Sequence, residues 1–118
     1  MARILVAEDE KAVREFVRRA LEHNGHEVKA VADGAAALQE LGAAPYDLLV
    51  TDIIMPVMDG IALALKASKD YPDMRILMMT GYAAQRERAH NLNLLVHDVM
   101  MKPFTMEEMA AKVAEALA

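Results

Sequence analysis

The sequence predicts an α/β domain built on a doubly wound, five-stranded parallel sheet with helices on both faces. Three observations carry that reading. Strand-like and helix-like patterns alternate five times along 118 residues, with short connections between them. The segment Leu48-Leu49-Val50 is continuously apolar, as strands covered on both faces are. Parallel neighbours require right-handed crossovers, and intervening helices supply these while burying the sheet. The length fits one domain, taken as residues 1–118, and is enough to bury a core without disulfide staples.

Residues 3–7 form a short aliphatic run, read as a buried strand. From Glu10 the apolar residues fall at Val13, Phe16, Val17, Ala20 and Leu21, the spacing of one helical face, and Asn24-Gly25 supplies a left-handed ending. Residues 26–32 read as a second strand whose smaller core contribution comes from Val28, Ala30 and Val31. Asp33 can cap a short helix that turns Ala37, Leu38 and Leu41 inward. Pro45 breaks the chain before the third strand, which ends at Thr51-Asp52. Past the loop at 53–60, a helix places Ile61, Ala64 and Leu65 on one side. Asp70-Tyr71-Pro72-Asp73 makes a turn, and residues 75–79 make a fourth strand ending at Thr80-Gly81. Residues 82–93 are read as helical despite a polar block of Gln85, Arg86, Glu87 and Arg88. Residues 98–101 form a fifth strand stopped by Lys102-Pro103. Thr105 and Glu108 make a capping box, and Met106, Met109, Ala110, Val113 and Leu117 line the last helix.

Composition narrows the function. Thirteen basic residues against eighteen acidic ones give a net charge of −5, which disfavours a nucleic-acid partner, and 4% aromatics leave no base-stacking platform. The absence of cysteine removes thiolate metal sites and suits the cytoplasm, where the chain is expected to reside. No apolar run approaches the roughly 18 residues of a membrane span, so no membrane association is expected. Ten methionines read as adaptable core filler. His23, His26, His90 and His97 lack metal-ligand spacing and read as surface or structural residues. Arg14, Arg18 and Arg19 mark the solvated side of the first helix.

In an open parallel sheet, ligands collect beyond the carboxyl ends of the strands. Those positions hold Glu8 and Asp9 after the first strand, Asp52 after the third, Thr80 and Gly81 after the fourth, and Lys102 after the fifth. Carboxylates gathered in one place repel each other unless a cation compensates, and oxygen donors that leave room for water and phosphate suit Mg2+. Lys102 offers a point charge for Asp52 or a phosphate oxygen, and Thr80 a hydroxyl donor. Together they favour Asp52 as a carboxylate nucleophile toward phosphorus. Singly, each has a bland reading: Glu8-Asp9-Glu10 as a solvated helix start, Asp52 as a turn residue, Lys102-Pro103 as nothing in particular. The set gains meaning because each member ends a different strand.

Four motifs at these positions, Ile4-Leu5-Val6-Ala7-Glu8-Asp9-Glu10, the stretch from Asp47 through Asp52 and Met55-Pro56 to Asp59-Gly60, Met79-Thr80-Gly81, and Met101-Lys102-Pro103-Phe104, resemble the receiver domains of two-component response regulators. The resemblance covers essentially the whole chain and implies the flavodoxin-like strand order 2-1-3-4-5. It implies that Asp52 accepts a phosphoryl group from a histidine kinase or phosphotransfer protein. Asp9 would ligate Mg2+ directly, Glu8 through water, and Ile54 through its main-chain carbonyl. Thr80 would be the switch hydroxyl and Lys102 the lysine of the family's Lys-Pro pair, with a cis peptide before Pro103. The domain would be a switch, not an enzyme, shifting population on phosphorylation and changing the face made by the fourth helix, fifth strand and fifth helix. No output domain is expected beyond the last helix, so action through an unidentified downstream protein is expected, as a monomer or weak homodimer. One position departs from the pattern: many members carry Tyr or Phe three residues before the lysine, where this chain has Val99, and Tyr82 is the residue that could take over part of that role. The short loops and Thr80-Gly81-Tyr82 are similar to single-domain, CheY-like regulators, including the CpdR type.

Two other classes fit less well. A phosphohydrolase of the haloacid-dehalogenase type wants a second acid two residues after its nucleophile, where Ile54 stands. A flavin or nucleotide module wants glycines or hydroxyls after the first strand, where Glu8-Asp9-Glu10 would repel phosphate.

Overall fold

Continuous apolarity in the middle of the chain marks the centre of the sheet. In the computed structural model, which describes residues 1–90, 92 and 95–118, strand β3 (Leu48–Asp52) is buried at every position. Asn91, Asn93, Leu94 and the side chain of His90 lie outside the described residues. Around β3 the elements run β1 (Arg3–Ala7), α1 (Lys11–His23), β2 (Glu27–Val31), α2 (Gly34–Ala43), α3 (Gly60–Asp70), β4 (Arg75–Thr80), α4 (Ala83–His90), β5 (Asp98–Met101) and α5 (Met106–Leu117). All strand pairs are parallel, in the order β2-β1-β3-β4-β5.

Period-two alternation divides the sheet between two cores. Ile4, Val6, Leu48, Val50, Leu77 and Met79 face Val17 and Leu21 of α1 and Met109, Val113 and Ala116 of α5. Leu5, Leu49, Ile76 and Met78 face the other way, against Ala37 and Leu41 of α2, Leu63, Ala64 and Ala67 of α3, and Ala89 of α4. Met55, Met74, Met78, Met79, Met100 and Met109 are buried, so most methionines do fill the core.

Local chemistry sets the helix starts. Asp33 accepts from the Ala36 N–H at 2.8 Å, and Thr105 and Glu108 close the expected capping box. Asp59 caps α3 through the Ala62 N–H at 2.9 Å, a role the sequence reading did not assign. Gly25, at φ +87°, ends α1 in the left-handed region.

Some inward faces differ from expectation. Leu65 is exposed, because a helix starting at Gly60 turns Leu63, Ala64 and Ala67 to the sheet and carries Leu65 round to solvent. Met106 is exposed as the first residue of α5, ahead of the turn that meets the sheet. Strand β2 is one residue shorter at each end and, at the sheet edge, has no fully buried position. Helix α4 begins at Ala83, and the expected end at Asn93 falls outside the described residues. Among the described residues, no helix is long and apolar enough to cross a membrane.

Two glycines should respond oppositely to alanine. A Cβ on Gly60 would stand 2.0 Å from the Asp52 carbonyl oxygen, whereas one on Gly42 in α2 meets nothing within 4 Å. In urea denaturation, Gly60→Ala is expected to cost about 2–3 kcal/mol through overpacking against main chain, and Gly42→Ala to gain up to about 1 kcal/mol in helix propensity. Equal effects would contradict the close approach at Gly60.

Candidate functional site

The registers Ala7↔Thr51, Asp52↔Met79 and Thr80↔Met101 bring the carboxyl ends of β1, β3, β4 and β5 level. Residues just beyond those ends therefore meet on one rim. Glu8 and Asp9 follow β1, Asp52 closes β3, Thr80 closes β4, and Lys102 follows β5.

Carboxylate oxygens of Glu8, Asp9 and Asp52 lie within 4.8 Å of one another. The Lys102 ammonium donates to Glu8 Oε1 at 2.6 Å and to Asp52 Oδ2 at 2.9 Å. Asp52 Oδ1 accepts from the Ile53 N–H at 2.7 Å, and Glu8 Oε2 from the Glu10 N–H at 3.1 Å. Glu8 and Thr80 are fully buried, Asp52 is 7% exposed, and Asp9 stands in solvent. The cluster thus has a closed floor and an open side. Thr80 accepts twice, its hydroxyl oxygen from the Tyr82 N–H at 3.2 Å and its carbonyl from the Lys102 N–H at 2.8 Å. The Lys102–Pro103 peptide is cis.

Burial pushes the Glu8 carboxyl up to about 7 against the lowering effect of the Lys102 hydrogen bond. Burial works against the Lys102 ammonium as well, but hydrogen bonds to Asp52 and Glu8 outweigh it and raise its pKa. Three carboxylates with one ammonium leave a local excess of negative charge. All the donors are hard oxygens, so the set fits a divalent cation of the magnesium type.

The loop after Asp52 is tightly drawn. Gly60 N–H donates to the Ile53 carbonyl at 2.7 Å, and Val57 holds φ +70°, where a β-branched residue pays about 1–2 kcal/mol in strain. Arg88 of α4 reaches across to Asp59 Oδ2 at 3.1 Å. Ile54, two residues past Asp52, has a half-exposed side chain. Val99 packs partly buried against the α2–α3–α4 side of the sheet, and Tyr82 approaches Thr80 with its main chain while its side chain is 63% exposed.

The arginines of α1 part company. Arg18 pairs with Glu15 and Glu22, as a solvated face would predict, and Arg19 is exposed. Arg14 instead turns back to the rim, its Nη1 donating to the Glu8 carbonyl at 2.9 Å and more weakly toward that of Asp9 at 3.4 Å. The sequence reading missed this; the signal was its place one turn into the helix that follows the acidic pair. The histidines behave structurally where described: His26 Nδ1 accepts from the Ala2 N–H at 3.1 Å, and His97 meets Glu115 at 2.9 Å.

A family model described as the response regulator receiver domain matches residues 4–114. The chain belongs to this family. The receiver domain is 38% identical over 117 residues to the response regulator receiver protein CpdR of Brucella abortus (strain 2308), covering 99% of this chain and 98% of that protein. It is 36% identical to response regulator MprA of Mycobacterium ulcerans (strain Agy99), over 98% of this chain but half of that protein's length. Among solved structures it is similar to response regulator protein TrrA of Thermotoga maritima, in complex with Mg(2+)-BeF (TM-score 0.90, 31% identity, 99% of this chain and all of that one). Chemotaxis response regulator CheY4 of Vibrio cholerae is similar too, at TM-score 0.90 and 28% identity over 99% of both chains. The receiver fold and its strand order are therefore as the sequence implied, and a phosphoacceptor switch role fits the family.

The raised Glu8 carboxyl predicts a pH dependence of stability. Burial raises the Glu8 carboxyl from its ordinary 4.5 to about 7, so the folded state is expected to bind more protons than the unfolded one between the two. Stability from this group is fully present below the lower value and is lost as pH rises through about 7. Urea denaturation of metal-free protein should show a loss of at most ~2 kcal/mol between pH 5 and 8 that Glu8→Gln does not share. Parallel pH profiles for the two proteins would contradict the burial of an ionisable Glu8.

Proposed function

We propose that Asp52 is the phosphoacceptor of a two-component switch, receiving its phosphoryl group from a phosphohistidine on a kinase or phosphotransfer protein. The observation that carries the proposal is the Lys102 ammonium, 2.9 Å from Asp52 and 2.6 Å from Glu8, at the mouth of a three-carboxylate group. Glu8, Asp9, Asp52 and the main-chain carbonyl of Ile54 would hold Mg2+. When bound, it supplies positive charge against the oxygens of the transferred group. That TrrA was solved with Mg(2+)-BeF on the same fold supports this choice of metal.

A carboxylate oxygen of Asp52 attacks phosphorus in line. The P–N bond to the donor imidazole breaks, its electron pair stays on nitrogen, and that nitrogen takes up a proton. Lys102 then exchanges its hydrogen bond from the carboxylate to a phosphoryl oxygen. Thr80 Oγ1 already accepts from Tyr82, which leaves its hydroxyl proton free to donate to the same group.

Because Thr80 closes β4 just before α4, such a contact pulls on the connection into the α4–β5–α5 face. Phosphorylation shifts the population toward the form that makes it, and a downstream protein reads that face. The domain, comprising residues 1–118, acts in this reading as a cytoplasmic monomer or weak homodimer without nucleic-acid contact. It is a switch rather than a turnover catalyst, since Ile54 occupies the place a hydrolase would give to a second acid.

Incubation with acetyl phosphate and Mg2+ should add about 80 daltons to the intact mass, and Asp52→Asn should abolish the gain. An unchanged wild-type mass, or an equal gain in the variant, would overturn the assignment.

A further inference from the structure

We propose that Arg14 is a positioning residue for the acidic pair, holding the main chain of the turn that carries Glu8 and Asp9 in the shape that admits a divalent cation. The inference rests on the reading of Glu8, Asp9 and Asp52 as the metal site. It begins from a missing cap. Helices α2, α3 and α5 each start under a side-chain hydrogen bond, from Asp33, Asp59 and Thr105, but Glu10 gives α1 none. The β1–α1 turn therefore lacks the side-chain cap that fixes the entries of α2, α3 and α5.

Arg14 supplies one from inside the helix. Its Nη1 reaches back one turn to the carbonyls of Glu8 and Asp9, at 2.9 and 3.4 Å. Among the described residues it pairs with no carboxylate, unlike Arg18, which lies between Glu15 and Glu22. From the other side, Glu8 Oε2 holds the Glu10 N–H at 3.1 Å. Two consecutive carbonyls and the next amide are thus tied down, and with them the direction in which the exposed Asp9 presents its carboxylate. Replacing an outer partner that orients a metal ligand typically costs roughly 10–100-fold in metal affinity.

Charge alone predicts the opposite effect. A guanidinium beside an acidic cluster repels a second cation, so deleting it should tighten Mg2+ binding if Arg14 acts only as a charge. If it positions the turn, deletion should loosen binding. Lysine keeps the charge but loses the planar, fixed-geometry donor.

Titration calorimetry with Mg2+ on the full chain separates the two. Arg14→Ala is expected to bind roughly tenfold more weakly, Arg14→Lys to fall between it and wild type, and both deficits to persist at about 0.5 M KCl, where exposed charges are largely screened. Melting in EDTA should leave Arg14→Lys close to wild type, and should the alanine variant fail to fold, the lysine variant carries the test. Unchanged or tighter Mg2+ binding by Arg14→Lys and Arg14→Ala would overturn the role of Arg14. Failure of the underlying reading looks different: wild type would bind no Mg2+, or Asp9→Asn would bind it as tightly as wild type, and the inference would fall with it.

Discussion

An ammonium held between two carboxylates, Lys102 against Glu8 and Asp52, is the contact on which the rim depends. Without it, the buried Glu8 and the nearly buried Asp52 would face each other and Asp9 with no counter-charge, which a low-dielectric setting penalises heavily. The partners lie 94 and 50 residues apart in the chain, so no local segment can form it. The whole sheet has to assemble first. Three acids meet one ammonium there, and even with Glu8 protonated the rim keeps an excess of negative charge, an imbalance that a divalent cation would suit.

The sheet earns its precision from ordinary apolar packing. Two cores, one on each face, fix the registers that level the strand ends, and the chemistry then sits where the regular hydrogen-bonding runs out. Backbone cost accumulates at that edge. Val57 adopts a left-handed conformation and Gly60 presses against the Asp52 carbonyl, both in the loop leaving Asp52. A loop held this tightly constrains the main chain that carries Asp52, while Ile53 and Lys102 hold its carboxylate. Arg88 and Asp59 add a surface link from the same loop to α4, although an exposed pair of this kind carries little energy by itself.

Legibility followed the physics of each signal. Strands with continuous apolar runs and helices with a side-chain cap, such as those begun by Asp33 and Thr105, were readable because their causes are local. Faces were harder. Leu65 and Met106 look like core residues by composition, but a helix's rotation is set by where it begins and what it meets, and both turn outward. Arg14 was missed for a related reason: its place one turn after the acidic pair suits both a solvated guanidinium and one that reaches back to main-chain carbonyls, and only the fold separates the two.

By itself the sequence determined the alternation of elements, the fold class and the identities of the groups on the rim, because periodicity, caps and residues at strand ends are properties of neighbouring positions. Only the tertiary structure decided the distances: Lys102 at hydrogen-bond reach of both Glu8 and Asp52, Asp9 open to solvent while Glu8 is closed off, and Arg14 on the turn beneath them. Those depend on strand register and helix rotation, which are settled when two faces of side chains pack at once and not by any stretch of chain alone.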